Sequence, residues 1–461
     1  MTQYRKVVLL LSTYDLGRQP FGLASASAAL LAAGVEVACT DLTREKLDLE
    51  TVRRARAVAF FVPMHTATRL ALPVIDQVRT ANAGARMIAY GLYAPLNADL
   101  LRERGVTTII GGEFEDALVE AVRGAVVPPP VSGSVPRVTF RVPERSGLLP
   151  LARYATLQTA GGPQLAGYTE ASRGCKHRCR HCPIVPVYDG RFRVVPVDVV
   201  LADVAAQVAS GARHITFGDP DFFNGIGHAT AILERFAAGF PGITCDVTIK
   251  IEHLVRHGDL LPLLRSSGCA FVTSAVESVE DDVLRALEKG HTRADFEQVA
   301  DRFRDLGMVL VPTFVAFTPW TTLDGYCDLL QTLDRLDLVD HVAPIQLAIR
   351  LLVTHSSRLL DLAAVRAVCQ PFNARSLTYP WVHPDPRVDA LHQRVDADVG
   401  TQLSVPRREL FARIWTIAYE MAGVGGVQPI HRPEAGGMPV PYLNEPWYCC
   451  AEPTADQVRL L

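Results

Sequence analysis

No apolar run in the 461-residue chain approaches the ~20 residues that a helix needs to cross a bilayer. The run nearest the N-terminus, Val7 to Leu11, is too short for the core of a signal peptide. Excess positive charge is missing too: 46 Lys and Arg stand against 49 Asp and Glu, for a net charge of −3. A chain so balanced carries no electrostatic footprint for nucleic acid. It also lacks a disulfide framework. Its ten cysteines follow no regular spacing, which points to reduced thiols in the cytoplasm. What remains is an ordinary soluble composition, 49 % hydrophobic and 21 % charged, long enough for two or three domains.

A further absence sharpens the main motif. Ser172-Arg173-Gly174-Cys175-Lys176-His177-Arg178-Cys179-Arg180-His181-Cys182-Pro183 crowds three cysteines at C-x3-C-x2-C. A closed zinc site takes four ligands, usually on two paired arms, and no second pair of cysteines follows before Cys449-Cys450. Thiolates suit iron–sulfur clusters or zinc. Three of them on a four-iron cluster leave one iron open, where a small molecule can bind and accept an electron. The motif resembles the signature of radical S-adenosylmethionine (SAM) enzymes. That resemblance implies a [4Fe-4S] cluster on Cys175, Cys179 and Cys182, with SAM on the open iron. It also implies a reducing electron-donor protein.

The rest of the chain alternates strand and helix, an α/β pattern. Apolar runs at 6–11, 35–39, 57–62, 87–90 and 107–110 read as strands, with helices at 23–33 and 70–79. They predict a Rossmann-like parallel sheet over 1–127, with ligands at its carboxyl edge. The segment from Tyr90-Gly91 to Gly111-Gly112-Glu113-Phe114-Glu115 resembles the end of a cobalamin-binding domain. The D-x-H-x-x-G motif that supplies an axial histidine is absent: Pro63 occupies the aspartate position and His65 is the only histidine before residue 130. Cobalamin is thus a possible cofactor, and a domain that has lost its ligand is the alternative. Prolines and Ser132-Gly133-Ser134 mark a linker over 128–165, with one short strand at 137–142. Strand and helix signals over 166–360 predict a partial (β/α)6 barrel whose chemistry sits at the strands' carboxyl ends. Residues 361–461 read as an α-helical and irregular C-terminal region.

Several positions match the radical SAM pattern. His181, between the second and third cysteines, stands where an aromatic residue touches adenine; a solvent-exposed loop histidine is the bland alternative. Asp219 in Gly218-Asp219-Pro220 stands where relatives bind the amino group of SAM; a turn or cap aspartate is the alternative. Val276-Glu277-Ser278 with Leu287-Glu288-Lys289-Gly290 resembles the I-E-S … K-G signature, and Glu277 would then hydrogen-bond SAM. A carboxylate ending an apolar strand is costly unless paired, which favours a functional role. Arg350 is a cation within an apolar stretch, read as facing the SAM carboxylate or the substrate, with a structural salt bridge as the alternative.

Near the end stands Trp447-Tyr448-Cys449-Cys450-Ala451-Glu452-Pro453. Adjacent cysteines on a tail are either exposed thiols or a vicinal disulfide, or a pair of soft ligands delivered to the barrel mouth. The stretch resembles the CCAEP/CUAEP-tail radical SAM proteins, a group that includes an enzyme of arsinothricin biosynthesis. That resemblance implies transfer of the 3-amino-3-carboxypropyl group of SAM to trivalent arsenic, with arsenite held by Cys449 and Cys450. Two other readings stand beside it. One is a cobalamin-dependent radical methyltransferase of natural-product biosynthesis. The other is a non-catalytic metalloid- or redox-sensing cluster protein.

Overall fold

The computed structural model describes residues 7–400, 405–425, 428–429 and 440–444. Apolar runs build its first sheet. Val8–Ser12 (β1), Val37–Asp41 (β2), Ala57–Phe61 (β3), Arg86–Tyr90 (β4) and Thr108–Ile110 (β5) pair in parallel, in the order β2-β1-β3-β4-β5. β1 and β3 are buried at every residue, as a parallel sheet covered on both faces requires. Helices Phe21–Ala32 and Glu115–Arg123 supply Leu23, Leu30, Leu118 and Val122 to one face. Helix His65–Ala81 supplies Ala71, Val74, Ile75 and Val78 to the other. The strand order reverses between β1 and β3, the switch point of a doubly wound sheet.

The connection differs from expectation. Residues 137–142 form no strand, because nothing pairs with them along their length; the Thr139 amide donates to Asp116 instead. Pairing begins later, in the hairpin of Thr156–Thr159 (β6) and Gly162–Thr169 (β7). A positive φ of 100° at Gly162 closes its turn. Ser172–Gly174 (β8) and Phe192–Val194 (β9) form a separate antiparallel ribbon. His214–Phe217 (β10), Thr244–Thr248 (β11), Cys269–Glu277 (β12) and Leu310–Phe314 (β13) then continue in parallel from β7. Tyr442–Leu443 (β14) adds to β6, so the sheet runs β13-β12-β11-β10-β7-β6-β14.

This sheet is a curled half-barrel of five parallel strands, one fewer than the six units expected. The segment read as the last strand contains short 3-10 turns, Val339–His341 and Pro344–Leu347, and a single bridge, Phe317 to Arg350. Pro344 has no amide to offer a ladder. The Gln346 side chain accepts the Phe314 amide that a sixth strand would have taken. Phe217, Phe236, Phe296, Phe303, Phe314 and Phe317 are each at most 1 % exposed between sheet and helices. Every such ring stabilises the fold by about 1.5–3 kcal/mol. Helices Pro386–Gly400 and Arg407–Ala422 complete this core with Leu391, Ile414 and Ala418. No helix among the described residues is long and apolar enough to cross a membrane.

Candidate cluster and SAM site

The cysteine loop leaves β8 at a position that only glycine tolerates. Gly174 has φ +77°, and a Cβ there would stand 2.4 Å from the Tyr188 ring and 2.5 Å from the Arg191 carbonyl. Asn224 grips both sides of this turn, donating to the Gly174 carbonyl at 3.2 Å and accepting the Lys176 amide at 3.1 Å. Farther along, the Arg180 amide donates to the Leu287 carbonyl at 2.8 Å, and its guanidinium meets the Ala286 carbonyl and Glu288. Arg358 adds a bond to the Arg178 carbonyl at 2.7 Å and pairs with Glu288 at 2.9 Å. The loop is therefore held from β10's following turn, from the segment after β12 and from the C-terminal region.

Cys175 and Cys179 are buried and Cys182 half-buried, and every cysteine among the described residues is unbridged. Burial pushes the Cys182 thiol up to about 12, with Cys179 and Cys175 adding to the effect. Cys175 is pushed up to about 11, again chiefly by burial. Cys175 and Cys182 thus resist becoming thiolates on their own; metal coordination deprotonates such groups. This donor set fits an iron–sulfur cluster.

Beside the loop lies the second half of the site. β12 carries a bulge between Ala275 and Glu277, and Glu277 has φ +71°. A non-glycine residue held there costs of order 1–3 kcal/mol and marks functional sites. Its carboxylate receives Lys289 Nζ at 3.2 Å and His181 Nε2 at 3.1 Å. Burial alone would raise its pKa, but Lys289 and His181 outweigh burial and hold it well below the usual carboxylate range. Buried polar atoms without partners surround this trio: His181 Nδ1, Ser274 Oγ and both ring nitrogens of His291. Orphaned polar atoms are rare in a folded core. Here they ring the end of β12, next to the cysteine loop, and fit a polar ligand such as SAM.

The other candidate residues fall differently. Asp219 is 3 % exposed, and its two oxygens accept the Ala171 amide, at 2.9 Å, and the Ser172 hydroxyl. Burial raises it to about 7 against those bonds. It anchors the entry to β8, the role of a turn aspartate. Arg350, read as facing SAM or the substrate with a structural salt bridge as the alternative, is engaged within the chain. Its guanidinium pairs with Asp389 at 2.7 Å, donates to the Trp381 carbonyl at 2.7 Å and lies 3.6 Å from the Trp381 ring centroid. It is a structural salt bridge between the barrel edge and helix Pro386–Gly400. Cys449 and Cys450 lie outside the described residues. Lys289, His291, Arg180 and Glu288 were not singled out as site residues from the sequence. Lys289 was within view, since it belongs to the K-G half of the signature.

The carboxyl edge of the first sheet faces the half-barrel and is filled by the chain itself. Arg173 extends from the cysteine-loop side to Glu115 at 2.7 Å, Glu170 at 2.7 Å and Glu113 at 3.8 Å. Tyr188 donates to Glu113 and stacks against Gly112, where a Cβ would lie 2.2 Å from its hydroxyl. His65 Nε2 bonds the Ser376 carbonyl at 2.7 Å, and Leu377 enters the sheet's core. In this packing those contacts line the edge at which a corrinoid would lie, and His65 Nδ1 is buried there without a hydrogen-bond partner.

Comparisons with known proteins agree with the geometry. The model of the radical SAM superfamily matches residues 169–324, which span the cysteine loop, Asp219, Glu277 and Lys289. The ribosomal protein uS12 methylthiotransferase RimO of Alkalilimnicola ehrlichii is 27 % identical over 266 residues, 52 % of this chain and 54 % of that protein. The tRNA-2-methylthio-N(6)-dimethylallyladenosine synthase of Chlorobium phaeobacteroides is 28 % identical over 161 residues, 32 % of this chain and 34 % of that protein. The chain thus spans about half the length, or less, of these curated relatives. Among solved structures, the cobalamin-dependent SAM radical enzyme OxsB shares the fold with TM-score 0.68 at 14 % identity, over 90 % of this chain and 71 % of that one. The radical SAM methyltransferase TsrM of Kitasatospora setae does so with TM-score 0.58 at 18 % identity, over 72 % and 71 %. Residues 169–324 thus match the radical SAM superfamily, whose cofactors are a [4Fe-4S] cluster and SAM.

Proposed function

We propose that this protein transfers the 3-amino-3-carboxypropyl group of SAM to trivalent arsenic, in the manner of arsinothricin-type biosynthesis. Cys175, Cys179 and Cys182 would hold the cluster, and His181, Glu277 and Lys289 would hold SAM. When bound, these cofactors supply one-electron cleavage of a sulfonium carbon–sulfur bond. Positioning by the chain decides which bond breaks. Glu277 is ionised and aimed by Lys289 and His181, so it offers SAM a fixed acceptor rather than a mobile one. Arsenite is the substrate, and its affinity for thiols suits the adjacent Cys449 and Cys450.

The observation that carries this reading is the direction of β14. It pairs antiparallel to β6, and β6 pairs antiparallel to β7, so β14 runs the same way as β7. Leu443 is level with Leu157, which is level with Gln164. Asn444 locks this register through bonds to both the amide and the carbonyl of Thr156. The chain therefore leaves Asn444 heading toward the carboxyl end of the barrel, where the cysteine loop lies. An extended stretch of five residues reaches at most roughly 17 Å; Cys449 and Cys450 themselves lie outside the described residues.

The test is anaerobic turnover of the reconstituted protein with SAM, a strong reductant and arsenite, with products identified by mass spectrometry. 5′-Methylthioadenosine with an arsenic-bearing amino acid is the expected result. 5′-Deoxyadenosine as the main nucleoside, with no arsenic product, would sink the proposal. A second reading, corrinoid-dependent methyl transfer to an organic substrate, is favoured by the fold shared with TsrM and OxsB. Stoichiometric corrinoid in the purified protein would support it, and a corrinoid-free active preparation would remove it.

A further inference from the structure

Behind the cysteine loop, away from Glu277, three side chains from three separate segments converge. His177 lies within the loop itself, Asp221 follows β10, and His253 sits on helix Ile251–Arg256. The side chains of His253 and Asp221 are 0 % exposed and that of His177 is 13 % exposed. Their candidate ligand atoms all lie within 4.8 Å of one another.

The contacts around the two rings are close to symmetric. Asp221 Oδ2 stands 2.7 Å from His253 Nδ1, and Glu252 Oε2 stands 3.3 Å from His177 Nδ1. His253 Nδ1 and Asp221 Oδ2 are nevertheless buried without a hydrogen-bond partner; a carboxylate behind Nδ1 that leaves Nε2 bare is the usual arrangement behind a metal-bound histidine. Here both Nε2 atoms face each other at 3.2 Å. If each ring donates to its carboxylate, two lone pairs meet with nothing between them. Turning His177 to its other tautomer repairs that contact but leaves its bare Nδ1 against the Glu252 carboxylate. A positive centre between the rings would separate those lone pairs and give the unpartnered Asp221 Oδ2 a counter-charge.

We propose that His177 and His253 form a two-histidine chelate for one divalent transition cation of the zinc class. Two imidazole nitrogens, each about 2.0–2.1 Å from one ion at roughly tetrahedral angles, stand about 3.3 Å apart, close to the separation present. Asp221 Oδ2, 3.5 Å from His177 Nε2, supplies a third oxygen or a hydrogen bond to a bound water. Asp221 and Glu252 balance the ion's charge, while Lys250 and Arg256, paired with Glu252 at 3.4 Å and 2.9 Å, bound the site on the other side. Such an ion would tie the loop between Cys175 and Cys179 to β11's following helix and set a fixed positive charge beside the cluster. This inference does not depend on what the enzyme's substrate is.

The experiment uses the full chain, reconstituted with iron and sulfide, exposed to Zn2+ alone and desalted through a weak chelator. Metal content and zinc X-ray absorption are then measured. The expected result is one zinc per chain beyond the iron, in a nitrogen/oxygen shell at about 2.0–2.1 Å. His177→Gln and His253→Gln should each lower zinc retention at least tenfold while iron per chain stays near that of the parent. No zinc beyond background would overturn the proposal and leave a shared proton as the centre between the rings. So would a sulfur shell at about 2.3 Å, which places zinc on the cysteines, or retention unchanged in both variants. His253 is deeply buried; should its variant fail to fold, His177→Gln and the parent's absorption spectrum decide the matter.

Discussion

Glu277 carries the tightest coupling of strain and charge in the site. It is held at φ +71°, ionised, and contacted by Lys289 and His181. Glu277→Gln keeps the shape and removes the charge. We expect it to leave iron content unchanged and to weaken SAM binding and turnover at least tenfold, read by calorimetry and nucleoside release. Lys289→Met is predicted to be worse for the fold, because it strands a buried carboxylate, at a cost of about 3–5 kcal/mol; chemical denaturation measures this. Arg350→Met tests the opposite assignment. It should lower stability through the lost Asp389 and Trp381 contacts yet leave SAM affinity unchanged, and a large fall in SAM affinity would restore Arg350 to the site. Glu277 drew notice in the sequence because an acid ending an apolar strand has few cheap explanations, and the structure pairs it with Lys289 and His181. The partners of Arg350 were not legible there, since an apolar stretch reveals that a cation is enclosed but not which acid, 39 residues on, encloses it with the help of an aromatic ring.

At the level of elements, the hydrophobic runs located the first sheet and the half-barrel strands to within a few residues, because parallel strands buried on both faces have little other pattern to follow. The misplacements have physical causes. The isolated segment at 137–142 has strand-like residues but no partner. The sixth strand failed because Pro344 withholds an amide and Gln346 satisfies Phe314 from a turn. The β6–β7 hairpin was hidden among linker signals, its turn being Ala160-Gly161. Two elements invite direct tests. Gly174→Ala would drive a methyl group into Tyr188 and the Arg191 carbonyl. It should abolish cluster incorporation, seen as loss of iron and of the cluster's visible absorption, while the far-ultraviolet spectrum persists. Asn444→Ala removes the side-chain oxygen that accepts the Thr156 amide and leaves only the backbone bond to the Thr156 carbonyl. If the tail delivers substrate, this variant should still cleave SAM but form less arsenic product per nucleoside released. Unchanged coupling would count against the tail's role.

The two lobes of the molecule meet across a seam rich in buried acids. Arg173 faces Glu113, Glu115 and Glu170 at once, with Arg18 adding its charge near Glu170. Glu115, with the shortest contacts to Arg173 and a bond from Ser25, is held below its ordinary range despite burial. Glu113 has only the longer contact, and burial raises it from 4.5 to about 7 against the pull of Arg173. Asp15, across the same seam, is raised by burial from 3.8 to about 7 although Arg18 opposes this. A carboxyl whose folded pKa is raised binds more protons folded than unfolded, so its contribution to stability is complete below the unfolded value and is lost as pH rises to the folded one. Both groups therefore make the folded protein less stable as pH climbs from about 4 to about 7. Glu113→Gln keeps the bond from Tyr188 and cannot ionise. Against the parent, it should remove up to about 3 kcal/mol of the stability difference between pH 5 and pH 8, measured as urea midpoints at each pH. The gain should appear at the alkaline end, where the parent's Glu113 is charged without a cation of its own. An identical pH slope in parent and variant would mean that the lobes part, or the seam hydrates, before Glu113 ionises.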